Sequence, residues 1–455
     1  MTLHKNKYNL LIITTYIITL LSFYFFDLTN YDTVILYIVN FCICFILGTF
    51  FFLRNKAGIE FSFKEIVFIA IALRIMVMFV SPVTSDDYYR YLWDGKVQAE
   101  GLNPFQYSPE ELTQLHDDIL YPKVTYPDIK TIYPPLSQVV FYLGYVISGT
   151  NTVGLKMLYL FFSIGILYFL YHSLKLLKIN TNYIFLYVLS PLVIFEFFIN
   201  AHIDILILFF ISAFLYFTLS GNTGPAFLFL SLSILSKTYS LIFLPLYVFH
   251  LYRSGMSIKN IFLQSFYFFL PMLFLTFYGS SIGNIYMTMQ NYMQNWYSNN
   301  LIFLSLNSLL QLFDVFDHQI ARMIMIVFFL IAYLIILKSK LSVIQKLYLV
   351  SFFYLFFAHT VHQWYVTLIV LFLPMCFSYS ALYWSGIIGL TNITIFYFLR
   401  DNVWEDFMPV LIAEYVVLAV LIVYDIRRIF LPQRLEGSKT QILKYSNTQE
   451  KECKS

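Results

Sequence analysis

Long apolar runs recur along the whole chain, each near the length of a bilayer-crossing helix and each closed by charged or turn-forming residues. A hydrocarbon core of roughly 30 Å asks for about 20 apolar residues per helix. On that measure, spans are expected near 8–26, 33–53, 65–81, 153–174, 183–199, 203–219, 260–279, 319–337, 343–359, 364–380, 383–399 and 406–425. Segments 225–236 and 238–251 are each too short for a full crossing and meet at Ser236 and Lys237. They read as half-helices at a polar cavity, because irregular backbone persists at membrane depth only where protein or water covers it. The expected fold class is all-α, a polytopic membrane protein of about 14 spans by that length rule.

Composition removes the soluble alternatives. Of 455 residues, 60% are hydrophobic and 12% charged, about half the charge of a soluble domain. Too little polar surface remains to cover a soluble enzyme, and the chain is neither disordered nor collagenous. Cys42 and Cys44 lie in an apolar span, Cys376 near the end of another and Cys453 in the tail. That is neither a disulfide framework nor a zinc site. Lys5 and Lys7 precede the first apolar stretch, and no small-residue cleavage site follows near Phe25. The segment reads as a retained signal anchor.

The sidedness of charge gives an orientation. With the N-terminus cytoplasmic, 19 of the 28 basic residues fall on one side, including Arg54, Lys56, Lys175, Lys178 and the 427–455 tail. That is the positive-inside pattern, and an even number of spans returns the tail to the cytoplasm. The organisation expected is a two-span hairpin (1–64), a membrane domain (65–426) and a disordered cytoplasmic tail (427–455). Within the membrane domain, 82–152 forms a long outer loop carrying interfacial helices. It holds 9 of the 25 acidic residues. Pro134-Pro135 starts a helix there, and 280–318, with NYMQNWYSNN, suits a second interfacial layer.

Four polar clusters fall on the outer side. The first is Ser85-Asp86-Asp87-Tyr88-Tyr89-Arg90-Tyr91-Leu92-Trp93-Asp94-Gly95. Adjacent carboxylates repel, which raises the pKa of one toward that of a usable general base; solvated loop acids or a helix N-cap are the alternative. The second is Glu196 with Asn200-Ala201-His202-Ile203-Asp204, either a functional cavity or a short solvated hairpin. In the third, Ser236-Lys237-Thr238-Tyr239, an isolated Lys needs a carboxylate or phosphate partner unless it snorkels to the interface. The fourth is His359-Thr360-Val361-His362-Gln363-Trp364-Tyr365, where an aromatic belt is the simpler reading than a metal pair.

The string SDDYYRYLWDGKVQAEGLNPFQYSP resembles the first outer loop of the C-type membrane glycosyltransferase superfamily, in its bacterial polyprenol-phosphate-mannose-dependent mannosyltransferase branch. The order of later segments agrees over about residues 65–400. Tyr133-Pro134-Pro135-Leu136 closes the loop, and NAHID resembles the family's Gly-His-Asn-Asp helix start. Lys237 stands before LIFLPL as the family's Lys does, and HQWYVT resembles its Pro-Trp-Tyr segment. Ala201, Ile203 and Gln363 depart from that pattern, which points to a different acceptor. The resemblance implies a catalytic aspartate in the loop. It maps to Asp86 or Asp87, with Asp87 favoured because it stands three before Arg90. It implies substrate-binding roles for Arg90, Asp94, Tyr133, His202, Asp204, Lys237, His362, Trp364 and Tyr365.

The expected function is transfer of a hexose, mannose by the resemblance, from a polyprenyl-phosphate donor to a glycan or lipid acceptor at the outer face. Direct attack assisted by one base inverts the anomeric carbon. No metal or other cofactor is required and no metal ligands are assigned, although a carboxylate pair can hold Mg²⁺ or Mn²⁺. The partners are the two substrates and the bilayer, with no nucleic acid, in the plasma (inner) membrane. A lipid-linked sugar flippase or transporter explains many spans equally well, but transporters place charge near the midplane and show repeated halves. A surface polysaccharide polymerase shares the large outer loop.

Overall fold

The computed structural model describes residues 7–25, 30–116, 119–315 and 317–430. The carboxylates of Asp117 and Asp118 and most of the expected tail, 431–455, lie outside the described residues. Among the described residues the protein is helical, apart from one isolated bridge between Ser298 and Thr360. This is the polytopic helical class that the apolar runs imply. Seven helices are long and apolar enough to cross a membrane: Lys7–Tyr24, Tyr31–Asn55, Val153–Leu176, Ile258–Gly279, His318–Lys338, Tyr379–Asp401 and Met408–Arg428. An eighth is broken, Thr181–Val188 and Pro191–Ile199 meeting at 54°.

The remaining apolar segments are shorter helices of 10–17 residues, among them Pro135–Ser148, Ile205–Leu219, Thr223–Ser236 and Gln363–Phe372. A 14-residue helix rises only about 21 Å, so such a helix ends at membrane depth where its neighbours must satisfy its last carbonyls or first amides. Local sequence dictates the breaks. Pro191 sits in a first helical turn and ends the helix before it. Lys237 is extended (φ −159°, ψ 123°) after Thr223–Ser236, and a 3₁₀ turn, Thr238–Ile242, leads into Phe243–Arg253. The half-helices expected on either side of Lys237 are therefore present.

The 82–152 loop is built on two helices, Asp87–Ala99 and Pro135–Ser148, the second opened by Pro134-Pro135. They pack tightly because Gly95 faces the second helix. A Cβ there would stand 2.4 Å from the Phe141 carbonyl oxygen and 2.8 Å from Tyr145 Cβ. Tyr91, one turn earlier, stacks on Phe141 with centroids 4.5 Å apart. The pair is fastened to the bundle from two directions. Ser137 Oγ donates to the Ser236 carbonyl at 2.9 Å, next to the Lys237 break. Buried Lys156, inside Val153–Leu176, donates from Nζ to the Val80 carbonyl at 2.6 Å, fixing the segment that leads into the loop.

Gly95→Ala should push these two helices apart. The expected cost is about 1–3 kcal/mol, as for overpacking elsewhere, read as a lower thermal midpoint of the detergent-purified protein.

Candidate active site

Four segments distant in sequence meet around Asp87. The carboxylate lies in the first turn of Asp87–Ala99, with Asp86 just before it. Ser85 Oγ accepts from the Asp87 amide at 3.3 Å, and the Tyr91 hydroxyl donates to Asp87 Oδ2 at 3.4 Å. Burial, with the Asp86 and Asp204 charges, raises the Asp87 carboxyl to about 7 against the opposing pull of Lys237 and Tyr91. The side chain still keeps about a third of its surface accessible. A carboxyl near neutrality, reachable from outside, has the properties of a general base.

Behind Asp87 lies the NAHID segment. Pro191–Ile194 passes into a π-helical turn, Phe195–Ile199, a form that tends to mark functional sites. The Asn200 and His202 amides close it, donating to the Phe195 and Glu196 carbonyls. His202 is fully buried. Its Nδ1 is 3.7 Å from Asp87 Oδ2 and its Nε2 is 3.4 Å from Glu196 Oε2, neither in hydrogen-bond geometry. Burial, then Lys237 and His362, hold the imidazole well below its ordinary pKa. Glu196 accepts at Oε1 from the Tyr37 hydroxyl at 2.8 Å and at Oε2 from Asn200 Nδ2 at 3.4 Å. Asn200 Oδ1 in turn accepts from the Val83 and Thr84 amides, both at 3.2 Å, so it anchors the approach to Asp86-Asp87.

Lys237 closes another side. Its Nζ meets Asp204 Oδ1 at 2.5 Å and stands 4.3 Å from the centre of the Tyr365 ring. The anionic partner that the isolated Lys demands is thus Asp204, from the helix start beside His202. Trp364 covers His202, with rings stacked at 3.6 Å, and His362 stacks on the same indole at 4.4 Å. Burial, helped by Lys237, pushes His362 down to about 3. His359 instead faces Phe303. Among the described residues no three His, Cys, Asp or Glu side chains gather as a metal site.

Asp87, His202, Asp204, Lys237, His362, Trp364 and Tyr365 are thus brought together, with Asp86 at the rim. Tyr133 stands one step out, edge-on to Tyr91 at 5.0 Å. Arg90 and Asp94 face the interior of the loop. They pair at 2.9 Å, Arg90 Nη1 donates to the Ile129 carbonyl at 2.9 Å, and Gln138 Nε2 donates to Asp94 Oδ2 at 2.9 Å. They tie both loop helices to the segment between them, and only Arg90 Nη2 remains buried without a partner.

Asn200 belongs to the second polar cluster, whereas Tyr37 and Gln138 were not among the expected site residues, and neither were Asn299, Asp406 and Glu414. The last three hold the HQWY segment in place. Ser298 accepts from the Val361 amide at 3.0 Å. Beside it, Asn299 donates its amide to Asp406 Oδ2 at 2.8 Å and its side chain to Glu414 Oε2 at 3.3 Å. A buried Glu in an apolar helix was the available signal for Glu414.

A helical membrane bundle whose broken helices surround a partly accessible carboxylate, a lysine and stacked aromatic rings is the class of an integral membrane enzyme. Residues 16–253 match the family model described as alpha-(1->6)-mannopyranosyltransferase, N-terminal domain. That is just over half of the chain, which belongs to this family of C-type membrane mannosyltransferases; it is an integral membrane glycosyltransferase. The match begins inside the N-terminal pair of helices, the second of which carries Tyr37. No curated protein and no solved structure matches the chain.

Ala201 is left-handed, φ 62°, the position where the related motif carries Gly. A side chain there costs about 1–2 kcal/mol, whereas Gly loses about 0.5–1 kcal/mol in backbone entropy. Ala201→Gly should therefore stabilise the protein by up to about 1 kcal/mol, seen as a raised thermal midpoint with the site intact.

Proposed function

We propose that the protein transfers mannose from a polyprenyl-phosphate mannose to a glycan or lipid acceptor, with Asp87 as general base and inversion at the anomeric carbon. The observation that carries this is the Asp87 carboxyl, held near neutrality and accessible, with Lys237 acting on it electrostatically from the adjoining break. The acceptor hydroxyl attacks the anomeric carbon while Asp87 takes its proton. The bond from that carbon to the phosphate oxygen breaks, its electron pair leaving with the phosphate. Charge grows on the phosphate, so a cation matters more than a general acid, and Lys237 is the nearest candidate. The donor's phosphate then competes with Asp204 for Nζ. The oxocarbenium character of such a transition state suits a pocket lined by Trp364 and Tyr365. Direct displacement also fixes the donor: an alpha product made with inversion comes from a beta-linked mannosyl phosphate.

Arg90 and Asp94 act at one remove in this scheme, holding the loop that carries Asp87. No step needs a metal, and Asp86 remains available to bind one. The prenyl chain lies against the apolar helices, which keeps the site at the bilayer edge. The resemblance to the bacterial branch supports a plasma (inner) membrane location, and the distribution of Lys and Arg supports cytoplasmic termini with the site on the outer face.

The test uses purified protein with radiolabelled polyprenyl-phosphate mannose and a panel of mannosyl acceptors. Wild type should transfer label. Asp87→Asn, folded to the same extent, should lose about 10²–10⁴-fold in turnover, the usual worth of a general base. Near-normal turnover by that variant would sink the base assignment. Because the base must be ionised, wild-type turnover should rise with pH through about 7 and be lost below it. A flat profile between pH 5.5 and 8.5 would contradict the assignment.

Lys237→Ala alone should both weaken donor use and unfold protein, since it strands Asp204, which is 3% exposed, without its counter-charge. Lys237→Ala with Asp204→Asn should recover folding yet keep a donor-step defect of about 10²–10³-fold. Recovery of turnover as well as folding would show that Lys237 serves structure only.

A further inference from the structure

Glu196 and His202 lie directly behind Asp87, and the displacement step gives neither of them a task. We infer that His202 receives the proton that Asp87 removes from the acceptor, with Glu196 holding the imidazole in the tautomer able to accept it. The inference rests on Asp87 being the base; His202 and Glu196 act through it and are positioning residues.

The tautomer is assigned from the groups that face each ring nitrogen. Two donors converge on Glu196, the Tyr37 hydroxyl on Oε1 and the Asn200 amide on Oε2. Both Glu196 oxygens thus serve as acceptors. We place the hydrogen on His202 Nε2, which faces Glu196 Oε2 at 3.4 Å and comes within hydrogen-bond reach of it on a small movement of the ring. That leaves the Nδ1 lone pair pointing at Asp87 Oδ2, 3.7 Å away. A lone pair and an ionised carboxylate form no hydrogen bond, and none is present. Once Asp87 is protonated, a movement of less than about 1 Å makes the contact a normal O–H···N bond. Trp364, stacked at 3.6 Å, keeps the ring in the required plane.

The protons balance without any co-reactant. As the acceptor oxygen bonds to the anomeric carbon, its O–H bond breaks and an O–H bond forms on Asp87. That bond then breaks as Nδ1–H forms, returning Asp87 to the carboxylate and leaving an imidazolium between two carboxylates. The groups facing the relay from the surrounding helices are Asp86, Tyr91, Tyr159, Asp204, Lys237 and His362. Lys237 and His362 oppose charge on the ring, so the proton does not remain there. It returns through Asp87 to bulk water or to the released phosphate monoester, whose second ionisation lies near pH 6.

The test is the pH–rate profile of the full-length protein, using labelled polyprenyl-phosphate mannose and an oligomannoside acceptor, for wild type, Glu196→Gln, His202→Phe and Asp87→Asn. In either orientation the Gln amide removes the charge that offsets the imidazolium; Phe preserves the stack on Trp364 but offers no nitrogen. Both variants should lose roughly tenfold or more in kcat, part of the worth of proton transfer, with KM within about threefold. In both, the acidic limb should move toward lower pH, since Asp87 loses a neighbouring negative charge or the acceptor for its proton. Unchanged kcat and limb in both, with Asp87→Asn inactive, would overturn the relay and leave the base in place. Losses confined to KM or to the yield of folded protein would overturn it as well. An active Asp87→Asn would remove the base and the relay together. Should Glu196→Gln fail to fold, His202→Phe is judged by the same criteria.

Discussion

A carboxylate inside an apolar bundle is tolerable only when protein donors replace the water it has lost. Glu196 meets that demand with a hydroxyl from Tyr37 and an amide from Asn200, and much of the site is arranged by the same bonds. Asn200 reaches Glu196 because the backbone opens into a π-turn, and the left-handed Ala201 then turns His202 back toward Asp87. The other face of Asn200 captures two amides just before Asp86. One buried acid therefore sets the position of both the imidazole and the loop carboxylates.

The electrostatics around Asp87 are a balance of nearby, opposed contributions. Burial and two carboxylates push its proton on, whereas Lys237 and Tyr91 pull it off. Lys237 is itself engaged by Asp204, so its influence on Asp87 depends on what else shares Nζ. In the proposed reaction an arriving phosphate changes the partner of Lys237 at the moment the base is needed, so that donor binding is coupled to base strength through a single ammonium group.

Much of this was legible in the sequence, and the reasons are physical. Apolar run length identified a helical membrane protein. The shortfall of 225–236 and 238–251, together with a Lys at their junction, located the break where the structure has it. The four polar clusters converge because polar side chains at membrane depth have few places to go. What composition could not convey was which way a side chain faces. Arg90 and Asp94 sit in the same motif as Asp87, yet one and two helical turns further on they are taken up by partners inside the loop. Tyr37 and Asn299 escaped notice because an aromatic in a span and an Asn in a loop are ordinary residues until a distant carboxylate is placed beside them. Several expected spans are short helices, since run length does not register the backbone breaks that polar contacts impose.

The family match ends at residue 253, yet the lid over His202 and Lys237 comes from Trp364 and Tyr365. That lid is hung from Ser298, whose neighbour Asn299 is gripped by acids at 406 and 414. The carboxylates and the lysine belong to one half of the chain, and the ceiling of the chamber belongs to the other. Substitutions around 296–300 or 406–414 can thus tilt the ceiling while leaving Asp87 and Lys237 where they are, which in the proposed reaction changes the sugar end admitted and spares the reacting groups. In this architecture selectivity can drift independently of chemistry.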